Sequence, residues 1–359
     1  MKIKLREGCK YGVAAPTSMG VRITPPNGAP VHTSNMYIMQ ATSAESNAVN
    51  VSSALGVKGL VLTNFVKDSP ISYFIKSELR RRNIDHIGPD VDQGGPWGYR
   101  HQFNIADSGF GARGPRVHND RAGEVGRELN AKDFDFERIF GELGVEILHL
   151  SGLVAAISPE TTRFCLEVIR AAKKHGSLVS FDMNHRATFW KNRESELRAA
   201  FCEMAGMTDI LIGNEEDYQL CLGIEGPKEG GGDIAAQING FKEMVGRIKI
   251  AYPNAGVFGN TLREVVSANE HLWGAITLFG DQWTVIEPRP IRVLDRIGGG
   301  DGFAGGLLYG ILSGMKPEDA TRFAWGSGAL ATTVLEDYAS PPDEKMVWSI
   351  FEGNARVSR

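Results

Sequence analysis

The sequence predicts an α/β fold: a doubly wound parallel sheet with helices on both faces and a small β-sheet lid beside it. Three observations indicate this fold. Short apolar runs alternate with amphipathic stretches through the middle of the chain, which is typical of strand-helix-strand units. Clusters of polar residues follow several of these runs, at the edge where parallel sheets bind ligands. Two segments of the N-terminal third, rich in Gly, Pro, Asn and Thr, interrupt the pattern and predict the lid.

The middle of the chain accounts for the sheet. After a first apolar run, Ser158 and Pro159 supply a helix cap and a proline that suits the first helical position. The predicted strands are 146–150, 178–182 and 209–212, and the predicted helices run over 158–176 and 196–204. Because strands joined by such helices run parallel, their carboxyl ends and the polar residues after them should lie at one edge.

The N-terminal third differs in composition. The segments 17–40 and 94–119 contain short alternating pieces, which predict strands of the lid. A lid in this position would cover the strand ends and exclude water. The remaining residues, 1–16, 41–93 and 120–359, should form the α/β core. Local patterns further predict helices over 43–55, 68–83 and 343–351, a flexible surface loop over 225–234, and a solvated helix end at Arg80–Arg82.

Composition and charge limit the class of protein. The chain has 359 residues, 42% of them hydrophobic, and can bury a large core. A formal net charge of −4 offers no basic surface, so we expect no nucleic-acid partner. No segment approaches the roughly 18 apolar residues of a membrane span, and Met1–Glu7 do not resemble a signal peptide. The four cysteines lie far apart. We therefore expect a soluble protein of the cytoplasm.

The most informative motif is a glycine loop that precedes an apolar helix. Gly298, Gly299 and Gly300 leave backbone N–H groups bare, and a helix N-terminus adds positive potential, so the loop can hold an anion. Asp301 follows directly and is placed to take a proton from a group bound beside that anion. The pair predicts phosphoryl transfer to a hydroxyl. Taken alone, such a loop is more often a tight turn with a helix cap.

Other polar clusters follow the predicted strands. They are 182–186, 213–217 and 261–264, and with the glycine loop they should converge on one edge of the sheet. Taken alone, Asn214 with its acidic followers indicates a helix cap, and Arg186 could pair with a surface carboxylate. His149 and His185 are interpreted as structural residues.

Four stretches occur in the order found in the PfkB (ribokinase-like) carbohydrate kinases: 43–50, 182–186, 212–217 and 295–301. The chain resembles this family from about residue 17 onward, most closely its 2-keto-3-deoxygluconate kinase branch. The resemblance implies a ribokinase-like fold, ATP and Mg²⁺ as cofactors, a homodimer formed through the lid, and phosphorylation of a sugar or sugar-acid hydroxyl, with 2-keto-3-deoxygluconate to its 6-phosphate as the first expectation. It leaves a monovalent cation open as a further cofactor.

The resemblance also implies roles for individual residues. Asp301 would be the general base, and Gly298, Gly299 and Gly300 would donate N–H groups to the transferring phosphoryl. Arg186 would reach both substrate and γ-phosphate. The nucleotide would contact Asn214, Thr261, Arg263, Gly298 and Gly300, and the metal would be held by Glu215 and Asp217. Asn47 and Tyr99 would belong to the sugar pocket. Because the guanidinium fork matches a carboxylate, the candidates for binding the carboxylate of a sugar acid are Arg22, Arg100, Arg113, Arg121 and Arg186.

Departures from the family pattern keep alternatives open. Thr42-Ser43 and Thr17-Ser18 stand where the family usually has a glycine pair and Gly-Glu, and Arg296 replaces a threonine. A related fructokinase-like enzyme, or a binding or regulatory protein with little catalysis, therefore stays possible.

Two other classes of nucleotide-binding protein fit the sequence poorly. Gly300-x-Gly302-x-x-Gly305 matches a dinucleotide fingerprint, but it lies too near the C-terminus for a Rossmann domain. No Gly-Lys dipeptide occurs, which excludes a P-loop.

Overall fold

The computed structural model describes residues 3–227 and 234–355. Its strands are β1 (Tyr11–Pro16), β2 (Gly20–Thr24), β3 (Ile38–Thr42), β4 (Gly59–Leu62), β5 (Phe65–Val66), β6 (Ile84–Ile87), β7 (Asp90–Val91), β8 (Gln102–Asp107), β9 (Arg116–Asp120), β10 (Val145–Ser151), β11 (Leu178–Asp182), β12 (Ile210–Ile212), β13 (Val257–Ser267), β14 (Glu270–Phe279) and β15 (Gln282–Arg292). Its helices are α1 (Ala44–Ala54), α2 (Pro70–Arg81), α3 (Gly152–Ala155), α4 (Pro159–Lys174), α5 (Ala187–Trp190), α6 (Glu194–Gly206), α7 (Glu215–Leu222), α8 (Ile234–Ala251), α9 (Gly299–Leu312), α10 (Pro317–Ala331) and α11 (Glu344–Glu352).

Nine strands form the central sheet, in the order β15-β14-β13-β12-β11-β10-β1-β4-β6. The strands from β13 to β6 pair in parallel, and β14 and β15 add an antiparallel edge. The predicted parallel sheet is therefore confirmed, and β10, β11 and β12 lie within one residue of their predicted bounds. This order places the ends of β11 and β12 beside each other, where the polar clusters follow them.

Helices cover both faces of the sheet because its strands are apolar on both sides. On β10 the fully buried Ile147 and Leu148 point to opposite faces, as neighbours in a strand must, and they belong to separate apolar clusters. Leu148 packs into the cluster that contains Phe164 of α4 and Phe201 of α6. Ile147 packs into the cluster that contains Leu307 of α9. The predicted doubly wound arrangement is thus observed.

Helix α9 lies unusually close to its two neighbours. A Cβ atom on Gly305 would come within 2.4 Å of the Ala48 carbonyl oxygen of α1. A Cβ atom on Gly306 would lie 2.7 Å from the Ser327 side chain of α10. These distances require glycine, since real Cβ atoms do not approach so closely. The position of α9, which carries Asp301 in its first turn, is therefore set by backbone contact with α1 and α10.

A second, four-stranded sheet has the order β3-β2-β8-β9. Strands β2 and β3 come from the first Gly- and Pro-rich segment and β8 and β9 from the second, which gives the predicted smaller sheet. The exact bounds 17–40 and 94–119 stay a prediction, and β3 and β9 run on to Thr42 and Asp120.

Two local predictions are wrong, and a third lies largely outside the described residues. Arg82 is not part of a solvated helix end: it is 4% exposed, with its guanidinium 4.2 Å from the centre of the Tyr338 ring. Residues 261–264 do not end a strand, because β13 continues to Ser267 as one arm of a hairpin with β14. The predicted loop over 225–234 lies largely outside the described residues. In the part of the chain that is described, no helix is long and apolar enough to cross a membrane.

Candidate active site

The glycine loop caps α9 and leaves an anion-binding surface. Gly298 has φ +85°, and a Cβ atom there would lie 1.8 Å from the Asp337 carbonyl oxygen, so no other residue fits. Around the Cβ position of Gly300 there is open space, with no atom within 4 Å. The first helical N–H groups have no carbonyl one turn earlier to bind. The loop therefore presents backbone donors and the positive end of α9 to a ligand.

Asp301 stands in the first turn of α9, and its carboxylate accepts a hydrogen bond from Asn47 Nδ2 at 2.9 Å. Burial raises the pKa of Asp301 to about 7. The Asn47 hydrogen bond and the charge of Arg186 oppose this rise, whereas the nearby carboxylates Asp337 and Glu45 add to it. A carboxylate with a pKa near neutrality can both accept and release a proton, as a general base requires.

Two further carboxylates lie at the ends of β11 and β12. Asp217 accepts backbone N–H groups from His185 at 2.9 Å and from Asn214 at 3.0 Å, and Asn214 caps α7 in return. Burial raises the pKa of Asp217. Burial also raises the pKa of Asp182 well above its ordinary value, and the charges of Asp217 and Asp301 raise it further. Because the charges of Asp217 and Asp301 both act on Asp182, the three carboxylates form an acidic cluster that attracts a cation.

Arg186 is the cationic side chain that this acidic group senses. Its guanidinium donates to the His185 carbonyl at 2.8 Å and is exposed. Its charge opposes the rise in the pKa values of Asp182, Asp217 and Asp301, so all three carboxylates lie within its electrostatic reach. The structure thus brings Arg186, Asp217, Asp301 and the glycine loop together, as predicted from the strand ends.

The donors around Asp217 fit a magnesium ion only in part. Within residues 3–227 and 234–355, no group of three or more Asp, Glu, His or Cys side chains is arranged to hold a metal. Mg²⁺ commonly takes one or two carboxylates and completes its coordination with water and substrate phosphates. Glu215 in the first turn of α7 and Asp217 fit that kind of shared site, with oxygen donors of the right chemistry.

The arginines in and beside the small sheet bind different partners. Arg22 is fully buried and forms ion pairs with Asp295 and Asp337, so it has no access to a substrate in this structure. Arg113 pairs with Asp107 at 2.8 Å and donates to the Gly28 carbonyl. Arg100 pairs with Asp120 and donates to the Ala122 carbonyl at 2.6 Å. Tyr99 is half-buried just before β8.

Arg121 follows the small sheet, directly after β9, and contacts an acidic and an aromatic side chain. It pairs with Glu124 at 2.5 Å, and its guanidinium lies 5.1 Å from the centre of the Phe189 ring. Its Nε atom is buried and has no hydrogen-bond partner among the described residues. The charge of Arg121 lowers the pKa of Glu45, whose own charge reaches Asp301. Arg121 therefore keeps one unused donor, and its charge acts on Glu45.

The departures from the family pattern also contact acidic groups. Thr17 donates to Glu45 at 2.6 Å, and Thr42 donates to Asp337 at 2.5 Å. Ser18 donates to Glu124. Hydroxyl groups of these residues thus bind acidic side chains around the site. Sequence analysis does not single out Asp337, since no local pattern surrounds it.

The predicted nucleotide residues Thr261 and Arg263 lie on β13 beyond its parallel pairing with β12, which ends at Gly259. Next to Thr261, the side-chain amide of Asn260 is buried, and neither of its polar atoms has a partner among the described residues. A buried amide of this kind can bind a ligand or a water molecule.

Comparisons with known proteins agree with this geometry. The model of the pfkB family carbohydrate kinases matches residues 131–344. A 2-dehydro-3-deoxygalactonokinase of Haloferax volcanii is 24% identical over 349 residues, which cover 94% of this chain and 96% of the relative. A 5-dehydro-2-deoxygluconokinase of Clostridium perfringens is 29% identical over 210 residues, and the match covers 58% of this chain and only 55% of that relative.

A solved structure is similar over nearly its whole length. The crystal structure of a 2-dehydro-3-deoxygluconokinase from Thermotoga maritima has a TM-score of 0.86 at 25% identity, covering 96% of this chain and 98% of that one. Its similarity extends to both sheets, whereas the family model covers the part of the chain that carries the glycine loop, the acidic cluster and Arg186. On these grounds the chain belongs to the pfkB family of carbohydrate kinases.

Proposed function

We propose that this carbohydrate kinase transfers the γ-phosphoryl group of ATP to a hydroxyl of a sugar acid, with 2-keto-3-deoxygluconate and its 6-phosphate as the first candidate pair. The observation that carries the proposal is Asp301, a base with a pKa of about 7 directly behind an anion-binding glycine loop. The names of the relatives from Haloferax volcanii and Thermotoga maritima support a deoxy keto-acid substrate.

In the proposed reaction, Asp301 accepts the proton of the attacking hydroxyl as that oxygen bonds to the phosphorus. The backbone N–H groups of Gly298, Gly299 and Gly300 bind the oxygens of the transferring group, where negative charge accumulates. Arg186 adds a positive charge on the side of the acidic cluster. These groups supply positioning and electrostatic stabilisation, the two main requirements of phosphoryl transfer.

The nucleotide and metal residues follow from the same geometry. Asn214, Thr261 and Arg263 would bind the nucleotide phosphates together with the glycine loop, and Glu215 and Asp217 would hold Mg²⁺. When bound, the ion neutralises phosphate charge.

Recognition of the acid rests on arginine. Arg186 acts on the base through its charge, Arg121 acts in the same way on Glu45, and Asn47 donates a hydrogen bond to the base. A planar guanidinium matches a carboxylate with two hydrogen bonds. Tyr99, Arg100 and Arg113 remain proposals for contacts that form when the small sheet closes as a lid.

Assembly and location are proposed at a coarser level. The residues at the start of β3, an edge strand of the small sheet, expose large apolar side chains: Met36, Tyr37, Ile38 and Met39. An exposed apolar edge strand invites pairing with a second chain. We therefore propose a homodimer formed through the small sheet of a cytoplasmic enzyme, with no nucleic-acid or membrane partner.

The test is ATP turnover with Mg²⁺ against 2-keto-3-deoxygluconate, 2-keto-3-deoxygalactonate, 5-keto-2-deoxygluconate, fructose, ribose and adenosine. We expect turnover with one sugar acid, and a roughly 10²- to 10⁴-fold lower kcat in Asp301→Asn with ATP affinity changed only a few-fold. Replacing K⁺ with tetramethylammonium tests the monovalent cation. Equal turnover by Asp301→Asn would contradict the base, and turnover of fructose alone would favour the fructokinase alternative. ATP binding without turnover of any sugar would favour a regulatory protein.

A further inference from the structure

Arg22 is a fully buried arginine that the proposed reaction does not use. It lies in the middle of β2, next to Gln40 of β3 in the register of the small sheet. Its Nη2 donates to the Asp295 carboxylate and its Nη1 to the Asp337 carboxylate, and neither Arg22 nor Asp295 has any exposed side-chain surface. One guanidinium of the small sheet thus joins two acidic groups of the large domain.

The first of these carboxylates controls the glycine loop. Asp295 lies three residues before Gly298, and its Oδ1 accepts the Ile297 backbone N–H at 3.0 Å. Its own backbone N–H, at 3.2 Å from the Thr332 carbonyl, fixes the strand-to-helix turn on the other side. Because Arg22 holds Asp295 in place, the backbone that leads into Gly298 has a fixed conformation.

The second carboxylate leads to the base. Asp337 Oδ2 accepts the Thr42 hydroxyl at 2.5 Å, and Asn47 Nδ2 reaches the same hydroxyl at 3.5 Å while it donates to Asp301 at 2.9 Å. The Asp337 backbone N–H donates to the Gln40 side chain at 3.0 Å, and its carbonyl packs against Gly298. Three side chains of the small sheet, Arg22, Gln40 and Thr42, therefore contact the segment 335–337 behind the glycine loop.

The contact between Arg22 and the two carboxylates is a contact between opposite charges. Burial acts to lower the pKa of Arg22, but the Asp337 and Asp295 carboxylates outweigh it and the pKa ends above its ordinary value. Arg22 therefore stays charged. Removing one partner of a buried ion pair leaves an uncompensated charge, so the two carboxylates could not keep their positions without it.

We propose that Arg22 is a positioning residue that couples the small sheet to the glycine loop and to Asp301, so that the anion site has its working geometry only when that sheet is docked. The inference rests on the proposed function, since it concerns the same site. A base or donor displaced by about 1 Å can cost roughly 10²-fold in rate, which sets the size of the expected effect.

The experiment compares Arg22→Met, Arg22→Lys and the control Arg289→Met. Arg289 is also a packed arginine, but its guanidinium lies over the Trp325 and Phe351 rings instead of pairing with Asp295 or Asp337. In Arg22→Met we expect faster hydrogen exchange in peptides 20–24 and 293–303, and a roughly 10²-fold lower kcat with the KM for ATP within a few-fold of wild type. Arg22→Lys, which can pair with only one carboxylate, should give an intermediate kcat, and it carries the test if Arg22→Met does not fold.

Two results would overturn the inference: wild-type exchange over 293–303 with wild-type kcat in a folded Arg22 variant, or faster exchange throughout the protein with kcat and ATP binding lost together. The exchange measurement needs no substrate. If the wild-type protein phosphorylates no sugar, the proposed function fails, while the coupling of the small sheet to the glycine loop is still decided.

Discussion

At the scale of single residues, the chemistry depends on how Asp301 is solvated. Its carboxyl is buried beside Asp337 and Glu45, which holds its pKa near 7, and it keeps one hydrogen-bond donor, Asn47. A carboxylate acts as a base only when ionised, so kcat/KM should rise with pH through about pH 7. Asn47 favours the ionised form and therefore sets how far the pKa rises.

The Asn47→Ala variant tests this balance. Without the amide donor the pKa of Asp301 should increase, and the rising limb of the pH profile of kcat/KM should move to higher pH. Asn50→Ala is a matched control on the same helix, because the Asn50 amide donates to the Ala339 carbonyl at 2.9 Å and not to Asp301. A limb that moves equally in both variants, or not at all in Asn47→Ala, would contradict the assigned hydrogen bond.

The same burial affects stability. Because the folded-state pKa of Asp301 lies above the ordinary value of 3.8, the folded protein binds this proton more tightly than the unfolded chain. The stabilisation from Asp301 is therefore present below about pH 4 and is lost as pH rises toward 7. Asp301→Asn, which removes the charge, should raise the Tm above that of the wild type at pH values beyond this range. A lower Tm there would contradict the assigned burial.

At the scale of elements, the glycine loop and the first turn of α9 work as one unit. Gly298 and Gly300 look alike in the sequence, yet the structure separates them: the first is fixed by the Asp337 carbonyl, and the second faces open space. Replacing Gly298 should disrupt the fold, whereas replacing Gly300 should leave the fold intact and weaken ligand binding at the loop. The sequence predicts the glycine loop, the start of the helix and the base because all three lie within residues 298–301.

Gly300→Ala provides the test. Alanine in a helix should stabilise it by up to about 1 kcal/mol, but the new methyl group occupies space where we expect the phosphoryl group, so kcat should fall by at least tenfold. Gly246→Ala is the matched control, since Gly246 lies within α8 and its Cβ position is also open. It should gain similar stability with unchanged turnover. Unchanged turnover in Gly300→Ala would remove the anion site from this loop.

At the scale of the whole molecule, the long-range contacts could not be predicted from the sequence. Arg22 contacts Asp295 and Asp337 across 273 and 315 positions of the chain, and no local pattern relates residues so far apart. The same reason explains why Arg82 was expected in solvent: its partner, the Tyr338 ring, comes from the other end of the chain. Parallel strands and their polar ends were predictable because periodicity and connection length are local properties.

Assembly is the further prediction at this scale. If β3 forms the interface, Ile38→Lys should turn a dimer into a monomer in sedimentation velocity, because a charge on an edge strand prevents pairing. Val266→Lys is a suitable control, since Val266 is another exposed apolar residue and lies on β13. A wild-type protein that sediments as a monomer, or an Ile38→Lys protein that stays dimeric, would reject an interface at β3.

The close contact between α9 and α1 has a consequence for how such an enzyme can diversify. Gly305 meets the Ala48 carbonyl beside Asn47, and one helical turn away Asp301 receives its hydrogen bond from Asn47. Any change that widens the gap between the two helices also lengthens that bond. Descendants of this protein could therefore adapt to a more alkaline habitat through mutations that loosen the helix packing, while every residue that touches the substrate stays the same.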